Sequence, residues 1–149
     1  MKALTLWRPW PWAIFWPRPG LAKDVENRTW PPPQSVIGQQ IAIHAGKRYD
    51  EESAEDIAFL LDLEELPPES MDEGIIGLAT LDRVVSGGRC GMGPASPPGD
   101  PAIRSMWYHG PYGWVLRDCI RLPHPIPCRG SQGLWNVPAD LEAKIAEQL

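Results

Sequence analysis

The alternation of apolar and polar positions predicts several short β-strands along the chain. Ile41 and Ile43 fall on one face of such a segment, and Ala42 and His44 fall on the other. Other apolar runs end at glycine, proline or charged residues, which is typical of strands in a small sheet. The predicted strands lie at residues 3–7, 25–30, 41–45, 74–85 and, as one interrupted strand, 112–117 with 119–122. The prolines that follow then confine the chain to an edge or an extended path.

Residues 50–63 show the period of an amphipathic helix. Their apolar side chains at positions 54, 57, 58 and 61 form one stripe. The first turns carry several carboxylates, which the helix dipole favours at that end, and Asp50 or Ser53 is the expected cap. We therefore predict a helix whose acidic face is exposed to solvent.

Proline and aspartate mark two further helices. A short one over residues 10–16 begins after Pro9 and ends before Pro17. Asp140 is expected to cap a final helix in which apolar side chains recur at every fourth position. Residues 86–101 have no periodicity and predict a long loop, a kind of segment that is usually mobile or functional.

These elements predict the α+β class with mainly β content. About six short strands with two to four peripheral helices indicate a small, mostly antiparallel β-barrel, formed as a single domain over residues 1–149. The strands do not alternate regularly with helices, which disfavours a parallel doubly wound sheet.

The net charge of −5 is unevenly distributed along the 149 residues. Residues 49–74 carry eleven acidic side chains and no basic one, whereas residues 1–48 carry seven basic and two acidic ones. The remaining residues have seven basic and six acidic side chains. Because a ligand responds to the local field, the acidic total does not exclude a nucleic-acid partner.

Composition excludes several classes of protein. Residues 9–17 form an uncharged apolar run that prolines interrupt and that is too short to span a bilayer, and no secretory signal precedes them. The three cysteines, Cys90, Cys119 and Cys128, show no metal-ligand spacing with each other or with the histidines. We therefore expect a cytoplasmic chain with reduced thiols, no metal, no cofactor and no membrane partner.

Six ordered motifs resemble those of ASCH domains and together cover nearly the whole chain. They are LTLWRPW at 4–10, KDVENRTW at 23–30, IHAGK at 43–47, GLATL at 77–81, GPYGW at 110–114 and GSQGLW at 130–135. The resemblance implies a PUA-like fold with a cleft that faces nucleic acid. Members of the family are generally regarded as RNA-binding or nucleotide-handling modules. Some relatives remove an acyl group from modified cytidine, and ribonuclease activity is attributed to others.

The chain also departs from the family pattern. Arg8 stands where relatives commonly have glutamine, and Glu26 stands where the deacylating relatives carry threonine. A further acidic residue of those relatives has no matching position. The resemblance therefore does not imply their amidohydrolase mechanism intact.

Lys23, Glu26 and Arg28 are the strongest candidates for chemistry. Strand alternation places Glu26 and Arg28 on one face, within reach of a lysine just before the strand. A carboxylate can activate water, a lysine can act as a base if burial lowers its pKa, and an arginine suits phosphate. The alternative is a Glu26–Arg28 ion pair that only stabilises the sheet.

Further candidates lie at the ends of two predicted strands. Lys47 and Arg48 follow the third strand and suit phosphate contacts, and His44 precedes them. Trp7 and Trp10 are expected to form a wall on which a base stacks. A hydrogen-bonded structural role for His44 and a core role for the tryptophans are the alternatives.

The sequence thus predicts an RNA-binding or nucleotide-binding module with a basic, tryptophan-lined cleft. The expected contact residues are Trp7, Arg8, Trp10, Lys23, Arg28, His44, Lys47 and Arg48. The alternative is a hydrolase of RNA or of a modified nucleoside, either a metal-independent ribonuclease or an amidohydrolase of acylated cytidine, with Lys23 and Glu26 as catalytic residues. A third interpretation is an adaptor that docks proteins through the acidic helix.

Overall fold

The computed structural model describes residues 1–87 and 99–149, so most of the predicted loop at 86–101 lies outside the described residues. The strands and α-helices, in chain order, are β1 (Lys2–Arg8), α1 (Trp10–Phe15), β2 (Val25–Arg28), β3 (Gln40–Tyr49), α2 (Glu51–Leu60), β4 (Gly74–Ser86), β5 (Tyr112–Ile126), β6 (Leu134–Asn136) and α3 (Ala139–Gln148). Short 3₁₀ turns occupy Gln34–Val36, Pro68–Met71 and Pro101–Arg104.

The strands form one six-stranded mixed sheet in the order β2-β5-β4-β3-β1-β6. β1 and β3 are parallel, and the other neighbouring pairs are antiparallel. The predicted α+β, mainly β class with mostly antiparallel strands is confirmed. Among the described residues, no helix is long and apolar enough to cross a membrane.

The two faces of the sheet carry separate apolar clusters. Ile41 and Ile43 pack on one side with the fully buried Trp114, as their alternation predicts. Ala42 faces the other side, where Leu141 of α3 covers the sheet. Burial of both faces explains why β3 and β4 read as nearly continuous apolar runs.

Strand β5 contains the predicted interruption and the predicted edge. Asp118 has a left-handed backbone with φ of 49°, and the register with β4 shifts nearby. β2 pairs only with residues 112–115 of β5. The proline-containing part of β5 therefore pairs with β4 along one edge, and no described strand pairs with its other edge. This arrangement suits prolines, which cannot donate to a sheet ladder.

The acidic helix α2 is capped as predicted. Asp50 accepts a hydrogen bond from the backbone N–H of Ser53, and the carboxylates of the first two turns face solvent. The helix ends at Leu60, three residues earlier than predicted, because Asp62 adopts a left-handed conformation with φ of 56° that a helix cannot include.

The predicted cap of the final helix is wrong. Pro138 occupies the cap position of α3, and Asp140 lies inside the first turn without capping it. Proline fixes a φ of about −65° that leads directly into a helix, so the helix starts one residue before the predicted cap.

Two strand boundaries also differ from the prediction. β2 ends at Arg28 because Trp30 turns its ring edge-on to Trp114, with ring centroids 4.8 Å apart. β3 continues to Tyr49, four residues beyond the predicted end, because it follows β1 as far as Arg8.

Gly77 allows a close approach that can be tested. A Cβ at this position would lie 2.4 Å from the Phe15 ring and 2.7 Å from the carbonyl oxygen of Ile120. We expect Gly77→Ala to lower the free energy of unfolding by about 1–3 kcal/mol, because a backbone oxygen cannot move aside cheaply. Urea unfolding followed by tryptophan fluorescence measures this change.

Gly87→Ala is the matched control. Among the described residues its added Cβ would meet only the Tyr108 side chain, with the hydroxyl at 3.4 Å, so its effect should stay within about 0.5 kcal/mol. Equal unfolding midpoints for the two variants would contradict the close packing around Gly77.

Candidate functional site

A cavity of about 500 Å³ opens where the ends of β1, β2 and β3 meet the segment before β6. A cavity of this volume suits a small molecule or one unit of a polymer. Its lining residues are Thr5, Leu6, Trp7, Trp10, Glu26, Arg28, Gly46, Lys47, Arg48, Gln132 and Gly133. We call it the Glu26 cavity.

Glu26 is a buried carboxylate that lines this cavity. The residue is 7% exposed, and its Oε1 lies 3.9 Å from Nζ of Lys23, beyond hydrogen-bond distance. Its Oε2 is buried and has no hydrogen-bond partner among the described residues. A buried carboxylate oxygen without a donor is costly, which makes it a strong acceptor for a ligand.

Lys23 lies behind Glu26 and is 2% exposed. Its ammonium donates to the Val25 carbonyl and lies 5.0 Å from the ring centroid of Trp10. Burial lowers the pKa of Lys23, and the charges of Glu26 and Asp24 oppose that effect. Lys23 therefore provides a positive charge near Glu26 from the protein interior. It is not among the residues that line the cavity.

Arg28 does not form the ion pair that was the alternative interpretation of this motif. Its guanidinium lies over two aromatic rings, 5.4 Å from the centroid of Trp30 and 5.9 Å from that of Trp114. Within the described part of the chain, Arg28 makes no salt bridge, and Glu26 is paired with Lys23. The aromatic rings thus hold the guanidinium of Arg28 in place. No described carboxylate neutralises it, so its positive charge contributes to the cavity.

The rim of the cavity combines an aromatic surface with cations. Trp7 is 49% exposed, and the guanidinium carbon of Arg48 lies 3.6 Å from its ring centroid. Lys47 is exposed and has no ion pair in residues 1–87 and 99–149. Trp10 is more deeply placed, because its Nε1 donates to Oγ of Ser53 at 3.0 Å. Trp7 is therefore an accessible stacking surface, and Trp10 is a fixed wall.

Arg8 points inward, in contrast to the predicted contact with nucleic acid. It is 8% exposed and donates to the carbonyls of Gly46 at 2.9 Å and Met71 at 2.6 Å, and also to that of Lys47. Its guanidinium also lies 3.4 Å from Oε1 of Glu73. With its donors occupied in this way, Arg8 fits a structural role, and it does not line the Glu26 cavity.

His44 lies in a second cavity of about 700 Å³ that adjoins the first. A carbonyl can only accept, so the ring Nε2–H of His44 donates to the Cys128 carbonyl at 3.1 Å. Nδ1 therefore accepts from the hydroxyl of Thr5 at 3.1 Å, and Thr5 accepts from Nε1 of Trp135 at 2.9 Å. Burial lowers the pKa of His44 from its ordinary value, while the bond to the Cys128 carbonyl and the charge of Glu73 oppose that effect. The neutral ring is thus favoured within a structural chain of hydrogen bonds.

The segment at 127–133 was not predicted to contribute to a site. Residues 127–132 line the second cavity, which we call the loop cavity, and Gln132 and Gly133 line the Glu26 cavity. Gly130 approaches so closely that an added Cβ would lie 2.5 Å from the His44 ring. The paired glycines of the GSQGLW motif were the available signal, because a glycine often marks close approach of the backbone.

The described residues contain no group of three His, Cys, Asp or Glu side chains that could hold a metal ion. Cys119 and Cys128 are free thiols, and burial raises the pKa of Cys119 to about 11. Cys90 lies outside the described residues.

Comparison with known proteins supports the fold. No family model and no curated protein sequence match the chain. The structure is similar to the crystal structure of a mutant of ZmASCH, a protein from Zymomonas mobilis, with a TM-score of 0.51 and 18% sequence identity. The match covers 98% of this chain and 96% of that chain. The predicted resemblance to ASCH domains is thus confirmed at the level of the fold.

The neutral state of His44 predicts a pH dependence of stability. Its pKa is lower in the folded chain than the ordinary 6.5 of an unfolded chain, so the unfolded chain binds more protons between the two values. The stabilising contribution is present above pH 6.5 and is lost as the pH falls through the folded pKa. We expect urea unfolding to show this loss as the pH falls below 6.5.

His44→Gln separates this contribution from that of the carboxylates. Glutamine does not titrate and retains a donor toward the Cys128 carbonyl. The variant should therefore lose less stability than the unmodified chain over the same pH interval. Parallel pH profiles would contradict a neutral His44.

Proposed function

We propose that the chain binds single-stranded RNA, or a nucleotide from it, in the Glu26 cavity. The observation that carries the proposal is Glu26, whose buried Oε2 lacks a partner among the described residues and whose side chain lines a cavity with an exposed tryptophan and three cations. A nucleotide combines the three complementary features: N–H donors on the base edge, a flat aromatic face and a phosphate.

Glu26 suits the donor edge of a base. Carboxylates accept hydrogen bonds from exocyclic amino groups, as in glutamate contacts to cytosine. Such a bond would satisfy Oε2, whose charge is otherwise balanced by Lys23 at 3.9 Å from the other oxygen. The same oxygen would repel a base edge that presents only acceptors. Glu26 therefore favours bases that carry an amino group.

Trp7 and Arg48 suit the face of the base. The ring and the guanidinium lie against each other at 3.6 Å, and both line the cavity. Bases stack on tryptophan rings and on guanidinium planes alike. Stacking of this kind is worth about 1–3 kcal/mol per base.

Arg28, Lys47 and Arg48 suit the phosphate. All three line the cavity, and none forms a salt bridge with another described residue. Cations that no described carboxylate neutralises can neutralise phosphates and release counterions. The acidic side chains of α2 face solvent from a different element and do not line this cavity.

We also propose that residues 1–149 form one ASCH-type domain that acts in the cytoplasm. Strand β1, near the amino terminus, pairs with β6, near the carboxyl terminus, which favours one domain. The free thiols of Cys119 and Cys128 suit a reducing compartment.

Binding of a fluorescein-labelled single-stranded RNA of mixed sequence, followed by anisotropy, tests this function. We expect Trp7→Ala to weaken binding by about 1–3 kcal/mol through lost stacking. Arg48→Ala should reduce the slope of log affinity against log salt by about 0.7, the value for one phosphate contact on a single strand.

Arg104→Ala is the matched control, since Arg104 is an exposed arginine that lines neither cavity. Its affinity and salt slope should equal those of the unmodified chain. Salt-independent binding, absent binding or equal losses in all three variants would contradict the proposed site.

The second candidate function is hydrolysis, and the Lys23–Glu26 pair favours it. Burial lowers the pKa of Lys23, which is the condition under which its amine can act as a base. Oε2 of Glu26 could take a proton from water as the water oxygen attacks the acyl carbon of an acylated cytidine. The carbon–nitrogen bond then breaks, and the proton passes to the nitrogen. In RNA, the same oxygen could take the proton of the 2′-hydroxyl as the 2′-oxygen bonds to phosphorus. The bond from phosphorus to the 5′-oxygen of the next nucleotide then breaks, and the proton passes to that oxygen.

Glu26→Gln tests hydrolysis, because the amide preserves shape but cannot accept that proton. On labelled RNA and on N4-acetylcytidine, turnover should fall by about 10²- to 10⁴-fold, the usual contribution of a general base. Turnover that survives in the variant would remove Glu26 from the mechanism. Absence of turnover in the unmodified chain would leave binding alone.

A further inference from the structure

We propose that the loop cavity is a subsite for a second nucleotide, so that the chain recognises a dinucleotide or longer strand rather than a single nucleotide. The inference rests on the proposed function of the Glu26 cavity and extends it to the ligand that the two cavities take together. With volumes of about 500 and 700 Å³, each has room for one nucleotide.

The two cavities share a wall. Thr5, Gly46, Lys47 and Gln132 line both of them. The two cavities therefore lie next to each other, and a ligand unit in one lies close to a unit in the other. Adjacent compartments of this kind suit a polymer whose repeating units are joined by a short linker.

Lys47 stands at this junction and suits the linker of a nucleic acid. Its side chain is exposed and has no ion pair among the described residues, while its carbonyl accepts a hydrogen bond from Arg8. The backbone of Lys47 is thus fixed by Arg8, and its ammonium is accessible to a ligand. A phosphodiester between two nucleosides would meet this charge from either cavity.

The loop cavity has a cation, Arg129, that the Glu26 cavity does not share. Arg129 lines this cavity and not the Glu26 cavity, is exposed, and makes no salt bridge in the described ranges. Glu73, a carboxylate in the same lining, lies 3.4 Å from the guanidinium of Arg8 and is partly neutralised by it. With His44 neutral, the lining carries a positive balance that suits a second phosphate.

The polar groups that can recognise the second unit lie on the loop. Both ring nitrogens of His44 are already engaged by Thr5 and the Cys128 carbonyl. Ser131 and Gln132 are exposed in the lining and offer a hydroxyl and an amide without partners among the described residues. His44 therefore forms the floor of the subsite, and the loop supplies its hydrogen bonds.

Calorimetric titration with ligands of increasing length tests the subsite. The probes are the four ribonucleoside 5′-monophosphates and the four 5′-phosphorylated homodinucleotides. We expect the best homodinucleotide to bind about tenfold more tightly than its monophosphate, because it adds one phosphate contact and one base. Arg129→Ala should remove most of that gain and change affinity for the monophosphate by less than about twofold.

Arg104→Ala again serves as the control for the loss of one positive charge, and it should leave both affinities unchanged. If the monophosphate and the homodinucleotide bind equally, or if Arg129→Ala weakens both equally, the subsite is refuted while the Glu26 cavity retains its function. If no probe binds, the proposed function and the subsite both fail.

Discussion

The guanidinium of Arg8 holds together the part of the sheet on which both cavities depend. The parallel register of β1 and β3 shifts just before Arg8. Arg8 donates to the carbonyls of Gly46 and Lys47 and to a third in the turn before β4. A buried carbonyl without a donor costs about 1–3 kcal/mol, so the arginine stabilises an otherwise unfavourable end of the pairing. The side chains of Lys47 and Arg48 then project from a fixed backbone.

The second constraint is the burial of two opposite charges next to each other. Desolvation of Lys23 and Glu26 is costly, and at a separation of 3.9 Å no hydrogen bond joins them to offset it. Trp10 covers the lysine at 5.0 Å and shields it from water. Of the two charged groups, only the carboxylate of Glu26 lines the cavity. A negative charge surrounded by cations at the rim suits a ligand with hydrogen-bond donors at one end and an anionic group at the other.

Local pattern predicted most of the fold, because strands and helices follow from side-chain periodicity and from proline and glycine positions. It also placed Glu26 and Arg28 on one face, where both line the cavity. It could not predict that Arg8 turns inward, since the broken register is a property of two strands more than thirty residues apart. The contribution of the loop at 127–133 was not predicted, because its glycines indicate a close approach but not the element approached. The loop lies over His44 next to the long-range pairing of β1 with β6.

The loop at 127–133 is fastened by its main chain. A carbonyl at Cys128 accepts from His44, and the bare Cα of Gly130 packs against the same ring. The side chains at 129, 131 and 132 are exposed and take no part in that attachment. The segment is thus attached through its main chain, and the side chains that line the loop cavity are not part of that attachment. Substitution of the three exposed residues would change the lining of the cavity and leave the contact with His44 intact.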